Sequence, residues 1–157
     1  MTLDGDVARL SQTRPFDLLP REALQLIAFS CGKTRVSAGE ALFLAGDAGE
    51  SGYFVQSGTI ELSGMGKPDT RRVGPGALIG ESALYAPVVR QVDARAVEEA
   101  VVIRVPCETF RKVLSEFPSA AAAVRSALAL RTRSLVERLD ATRAASLDHP
   151  RTARTAP

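Results

Sequence analysis

The sequence predicts a mainly β fold with flanking α-helices: a double-sheet jelly roll or barrel, helices before it and one long helix after it. Three observations carry this. Between Lys33 and Val105 the chain is a series of short alternating or β-branched runs cut by glycines, spaced near ten residues apart. Before Lys33 apolar residues recur at three and four. After Phe117-Pro118 an alanine-rich stretch continues into a leucine stripe.

The elements follow in order. Leu3, Val7 and Leu10 have helical spacing and predict a short helix over residues 3 to 12. Pro20, at a first helical position, opens a second helix with Glu22 in its first turn, ending near Gly32. Strands are predicted at 33–37, 41–45, 52–57, 59–64, 70–74, 76–79, 91–97 and 100–105, with turns at Gly46-Asp47-Ala48-Gly49 and across 64–69. Leu42, Phe54, Val55, Ile60, Leu62, Val73, Leu78, Ile103 and Val105 are the expected inward positions. Pro106 starts a helix whose stripe is Phe110, Val113 and Leu114. The last helix spans about 119 to 145, with Val124, Leu128, Leu135 and Leu139 on one stripe that Arg131 interrupts. Residues 1–145 thus form one domain, and the polar, Pro- and Arg-containing stretch 146–157 is expected to be a disordered tail.

Composition removes several function classes. The 157 residues carry a net charge of +2, and no apolar run approaches the ~20 residues of a membrane span. The N-terminus lacks the basic-then-apolar order of a signal peptide, so a cytoplasmic location is expected. Cys31 and Cys107 have no metal spacing and are too few to define a framework, so they read as packed or idle thiols rather than a disulfide. The single histidine, His149, lies in the tail, which argues against a Ser-His-Asp triad or a histidine zinc site and hence against an enzyme.

The one stretch with site chemistry is Gly80-Glu81-Ser82-Ala83-Leu84-Tyr85-Ala86-Pro87-Val88-Val89-Arg90. A short helix begun at Gly80 would gather unpaired backbone N–H groups at one point, which favours an anion. Arg90 would close over that anion with its two-pronged guanidinium, while Glu81, an acceptor only, suits a pair of sugar hydroxyls. Phosphate, ribose and an apolar wall describe a nucleotide. The plainer alternative is that Gly80 is a turn and Glu81 pairs with Arg90.

Gly-Glu-x-Ala-Leu with Arg ten residues after the glycine resembles the phosphate-binding cassette of cyclic nucleotide-binding domains, the family of catabolite activator protein and of cyclic-AMP-dependent kinase regulatory subunits. Val36 to Phe43, Gly46-Asp47, Tyr53-Phe54-Val55 and Ser57 to Leu62 resemble the same family's first half, and the likeness covers roughly residues 15 to 145. It implies a double-stranded β-helix (jelly roll) with N-terminal helices and a long C-terminal helix. It also implies a ligand, cyclic AMP or cyclic GMP, with cyclic AMP favoured. In this likeness the backbone at Gly80, Ser82 and Ala83 meets the phosphate, Arg90 neutralises it, Glu81 takes the ribose 2′-hydroxyl, and Val73, Leu78 and Val92 border base or sugar. The C-terminal helix closes as a lid near Leu135-Val136, an apolar cap with weak base discrimination. Two departures stand out: Ser82 replaces an apolar residue, and Gln91-Val92 replaces a small pair. Gln91 either donates to the phosphate or fills the pocket.

The resemblance further implies signalling through an unidentified protein partner, or through a homodimer of the C-terminal helix. The activator-type helix-turn-helix would have to follow that helix, and the tail is too short for it, so no DNA binding is expected of this chain. Two rival readings remain open: a ligand-free interaction module of the same fold, and the effector fragment of a transcription regulator.

Overall fold

The computed structural model describes residues 3–64 and 70–147, with side chains up to residue 143. Contacts divide the chain into two units, Met1–Ala121 and Ala122–Pro157. The first unit holds three helices and all ten strands: α1 (Leu3–Leu10), α2 (Arg21–Ser30), β1 (Lys33–Val36), β2 (Ala41–Phe43), β3 (Ala48–Gly49), β4 (Ser51–Ser57), β5 (Ile60–Gly64), β6 (Thr70–Val73), β7 (Leu78–Ile79), β8 (Val88–Val89), β9 (Val92–Ala96), β10 (Ala100–Pro106) and α3 (Cys107–Glu116). Helix α4 (Pro118–Leu147) begins in this unit and makes up the described part of the second.

Two four-stranded antiparallel sheets, ordered β1-β10-β4-β7 and β2-β9-β5-β6, form the roll, and β3 pairs with β8 in a small third sheet. This is the jelly roll the strand texture predicts. Alternation along the strands sends Val36, Phe43, Val55, Ile60, Ile79, Ala94, Ala96, Ala100 and Val102 into a common core. Removing such side chains from water contributes about 1.5–3 kcal/mol for each large one. A second apolar centre lies under the helices: Leu10, Phe16, Ile27 and Phe110 are fully buried, and Phe16 and Tyr85 meet the Phe110 ring edge-on at 6.1 and 5.9 Å. Helix α1 is tied to the roll through polar groups, because buried Asp6 accepts from Gln56 of β4 and pairs with Lys33 of β1 at 2.9 Å.

Several expectations need correction. Pro20 and Pro106 are N-caps rather than first helical residues; the carbonyl of Pro20 takes the N–H of Ala23 and Leu24. Ala48-Gly49 is a strand, not the end of a turn, because its partner Val88-Val89 comes from within the cassette. A helical turn at Phe16–Leu18 carried no periodicity to reveal it. Helix α4 runs to Leu147, two residues into the stretch predicted as tail; residues 148–157, including His149, and the turn residues 65–69 lie outside the described residues. Among the described residues no helix is long and apolar enough to cross a membrane. Both cysteines are free and buried, the packed alternative of the two the sequence left open.

Candidate functional site

Gly80 ends β7 in the left-handed region, φ +71°, and turns the chain into a single 3-10 turn over Glu81–Leu84. Ala83 and Leu84 are buried and anchor this turn, while Ser82 is exposed on the cavity side, so its polar side chain displaces no packing. The N–H of Ala83 closes the turn on Gly80 O at 3.0 Å. One turn carries little macrodipole, so the expected concentration of charge at a helix N-terminus falls instead on Arg90.

Arg90 is the centre of the site. Its backbone is held on both sides, N–H to Asp47 O and O from Gly46 N–H, each at 2.8 Å. The side chain is buried with 6% exposed, its Nη2 donates to Ser51 O at 2.6 Å, and its guanidinium carbon stands 4.2 Å above the Phe43 ring and 5.7 Å from that of Tyr53. Nε has no partner, and neither does the buried Ser51 Oγ. Among the described residues no carboxylate forms an ion pair with Arg90, Glu81 included. Burial pushes the guanidinium below its usual pKa, Arg104 adds to this, and Tyr53 and Asp47 oppose it. A desolvated cation with an orphaned donor and no ion-pair partner has the chemistry to accept an anion.

Arg90 opens on a cavity of about 770 Å³. Nine of the ten residues singled out in the sequence line it: Val73, Leu78, Gly80, Glu81, Ser82, Ala83, Arg90, Gln91 and Val92. Val73, Leu78 and Val92 are half-buried apolar wall. Glu81 accepts from the Tyr85 hydroxyl at 3.1 Å, which steadies the carboxylate. Gln91 is exposed and its amide donates to Val89 O at 3.2 Å, an internal use that neither fills the Arg90 site nor blocks it. The tenth residue, Leu135, belongs to the second unit, where it is 57% exposed. Sequence reasoning missed Phe43, Gly49 and Arg71. The sequence reading places Leu42 inward, but Phe43 is the buried residue of β2 and Leu42 only half-buried; Arg71 reads as strand surface until the pairing of β2, β9, β5 and β6 sets it on the same wall as Phe43.

Comparison with known proteins agrees with this geometry. The cyclic nucleotide-binding domain family matches residues 33–117. A cyclic nucleotide-binding-like protein from Brucella abortus bv. 1 str. 9-941 superposes with a TM-score of 0.65 at 36% identity, covering 71% of this chain and 99% of that one. The N-terminal domain of a transcriptional regulator from Streptomyces coelicolor A3(2) gives 0.74 at 28%, covering 83% and 94%. The cAMP-dependent protein kinase regulatory subunit of Eremothecium gossypii is 32% identical over 102 residues, 63% of this chain but 21% of its own length. The chain spans between 21% and 26% of the curated kinase subunits it matches. With the roll, the glycine-opened turn and a buried arginine facing one cavity, and with more than half its length matched, this chain belongs to the cyclic nucleotide-binding domain family.

Proposed function

We propose that the chain is a non-catalytic, cytoplasmic sensor module that binds a purine cyclic nucleotide and passes the signal to a protein partner or to a second copy of itself. The observation that carries this reading is Arg90: a buried guanidinium with an unpartnered Nε, no carboxylate in ion-pair range, and a cavity of about 770 Å³ beside it. The cyclic phosphate, with one negative charge, supplies the missing counter-charge. Backbone N–H groups at Glu81 and Ser82, ahead of the Ala83 N–H that closes the turn on Gly80 O, add to its binding. Glu81 accepts from the ribose 2′-hydroxyl, and Val73, Leu78 and Val92 pack against sugar and base. For output, α4 displays Leu130, Leu135, Val136 and Leu139, each at least half exposed, an apolar surface suited to a protein contact.

The test is calorimetric titration of the full chain with cyclic AMP and cyclic GMP, repeated on Arg90→Ala. At least one nucleotide is expected to bind the parent, and the substitution to weaken it about tenfold to a hundredfold, the worth of a charge-assisted contact. Equal affinity in parent and Arg90→Ala would remove Arg90 from the site. No binding at millimolar nucleotide would leave the ligand-free interaction module as the better reading.

A further inference from the structure

We infer that Phe43 and Tyr53 are positioning residues for the phosphate: their two rings hold the Arg90 guanidinium in place without using the donors and the charge that the ligand needs. The inference rests on the nucleotide-binding reading and adds to it the residues that prepare Arg90 before a nucleotide arrives.

The two rings come from different sheets. Phe43 ends β2 of the β2-β9-β5-β6 sheet, and Tyr53 lies in β4 of the β1-β10-β4-β7 sheet, opposite Ile79, the residue before Gly80. Their centroids are 6.0 Å apart and their planes are inclined by 33°. Both meet Arg90, whose guanidinium carbon stands 4.2 Å from the centre of the Phe43 ring and 5.7 Å from that of Tyr53. A cation within about 6 Å of a ring centre is attracted by the negative ring face, more strongly where water is excluded. Arg90 is 6% exposed and Phe43 8%, so the closer of the two contacts is nearly dry.

The carboxylates near the site do not compete for this cation. Asp47, whose charge acts on Arg90, accepts the N–H of Leu44 at 3.0 Å, and Glu81 accepts from the Tyr85 hydroxyl at 3.1 Å. Among the described residues neither forms an ion pair with Arg90. A carboxylate partner would engage two donors of the planar fork and cancel its charge. A ring face takes neither, because all the guanidinium donors lie in its own plane. The unpartnered Nε fits this mode of support, and Ser51 O is the acceptor that Nη2 uses. An arginine held in this way is ordered before binding. Without the rings, the ligand would have to bring order to a long side chain, and affinity would fall by that cost.

The experiment is calorimetric titration of the full chain with cyclic AMP and cyclic GMP, with mono-, di- and trifluorophenylalanine in place of Phe43. Fluorine draws charge from the ring face and leaves the shape of the side chain nearly unchanged, so a merely structural role would not respond. Whichever nucleotide the parent binds is expected to weaken step by step, reaching about threefold to tenfold with three fluorines, the cost of ordering one rotamer-rich side chain. Phe43→Leu loses at least as much. Tyr53→Leu loses less, since its ring stands farther from the guanidinium. Phe43 also lines the cavity, so a double variant separates positioning from direct contact. In an Arg90→Met background, Phe43→Leu is expected to have no further effect, because the ring acts through Arg90. Melting temperatures check that each variant is folded. An unchanged affinity across the fluorinated series, or losses that add in the double variant, would overturn the inference while leaving Arg90 as the phosphate site. Binding of neither nucleotide by the parent would overturn the nucleotide-binding reading itself, and this inference with it.

Discussion

Gly49 and Arg90 occupy space that only a glycine leaves free: a Cβ built on Gly49 falls 2.4 Å from Arg90 Nε. The pairing of β3 with β8 causes this approach, because it sets Gly49 opposite Val88, two residues before Arg90. Gly80 stands against the same side chain, its added Cβ 2.4 Å from Nη1, but its positive φ would strain any substitution. Gly49 has no such strain and isolates the steric effect. Gly49→Ala is therefore expected to shift the guanidinium and lower nucleotide affinity roughly tenfold, the scale of one displaced charge-assisted contact. Calorimetry of Gly49→Ala beside a thermal melt reads both quantities. Parent-like affinity would show that Arg90 reaches the ligand from some other position.

Replacing Arg90 by methionine should separate stability from function. The buried guanidinium loses hydration without an ion-pair partner, so the ligand-free fold carries a desolvation cost that an apolar side chain of similar volume removes. The hydrogen bond to Ser51 O is lost in exchange. The melting temperature of ligand-free Arg90→Met is expected to equal or exceed the parent's, while the rise on adding cyclic nucleotide disappears. A drop of more than about 5 °C, on the order of 1–2 kcal/mol for a domain this size, would mean that Arg90 is chiefly structural.

The contrast between Arg90 and Arg71 shows how much of the site the sequence reveals. Arg90 stands ten residues after Gly80 in one short stretch, so the sequence alone offers the two together as a candidate anion site. Arg71 sits between Thr70 and Arg72 in an ordinary edge strand, and only the register β2-β9-β5-β6 brings it onto the same wall as Phe43. The roll itself was legible because alternation and turn chemistry are local. Strands β3 and β8 were not, since two residues hold no period and Gly49 carries the signature of a turn. The aromatic floor was also hidden. Phe43 is 47 positions from Arg90, and in a strand of three residues nothing in the pattern tells which of Leu42 and Phe43 points inward; the sequence reading takes Leu42.

Burial of Cys31 gives a pH-dependent expectation. The thiol is 7% exposed, and burial raises its pKa from 9.0 to about 11. At pH 8 its thiolate population is then about a hundredfold below that of an unfolded chain, by two pKa units. Iodoacetamide labelling mapped by mass spectrometry should leave Cys31 unmodified in the native chain and modified in urea. The stability tied to the protonated thiol is fully present below pH 9.0, the unfolded value, and is lost as pH rises toward about 11. Rapid native labelling at pH 8 would contradict a closed environment around Cys31.

The stripe on α4 has one reading that solution mass decides. Val124 is buried and Leu128 half-buried, whereas Leu135 and Leu139 expose 57% and 61% of their surface on the same stripe. A packing face that only served its own chain would have no cause to continue as leucine where the residues around it are exposed. Pairing with a second copy would give those two leucines partners, and each fully buried leucine contributes about 1.5–3 kcal/mol. Four such side chains across a symmetric pair contribute about 6–12 kcal/mol against an association cost of at least about 4 kcal/mol, which reaches a micromolar dimer at its upper end. Arg131 interrupts the seam and limits it to this distal part. Light scattering of the parent at tens of micromolar, on the order of ordinary assay concentrations, is expected to give twice the chain mass. Leu135→Asp, which places a charge in the seam, should give the monomer without lowering the melting temperature of the roll. A monomeric parent would assign Leu135 and Leu139 to a different partner, and an unaltered dimer in Leu135→Asp would move the interface to another surface.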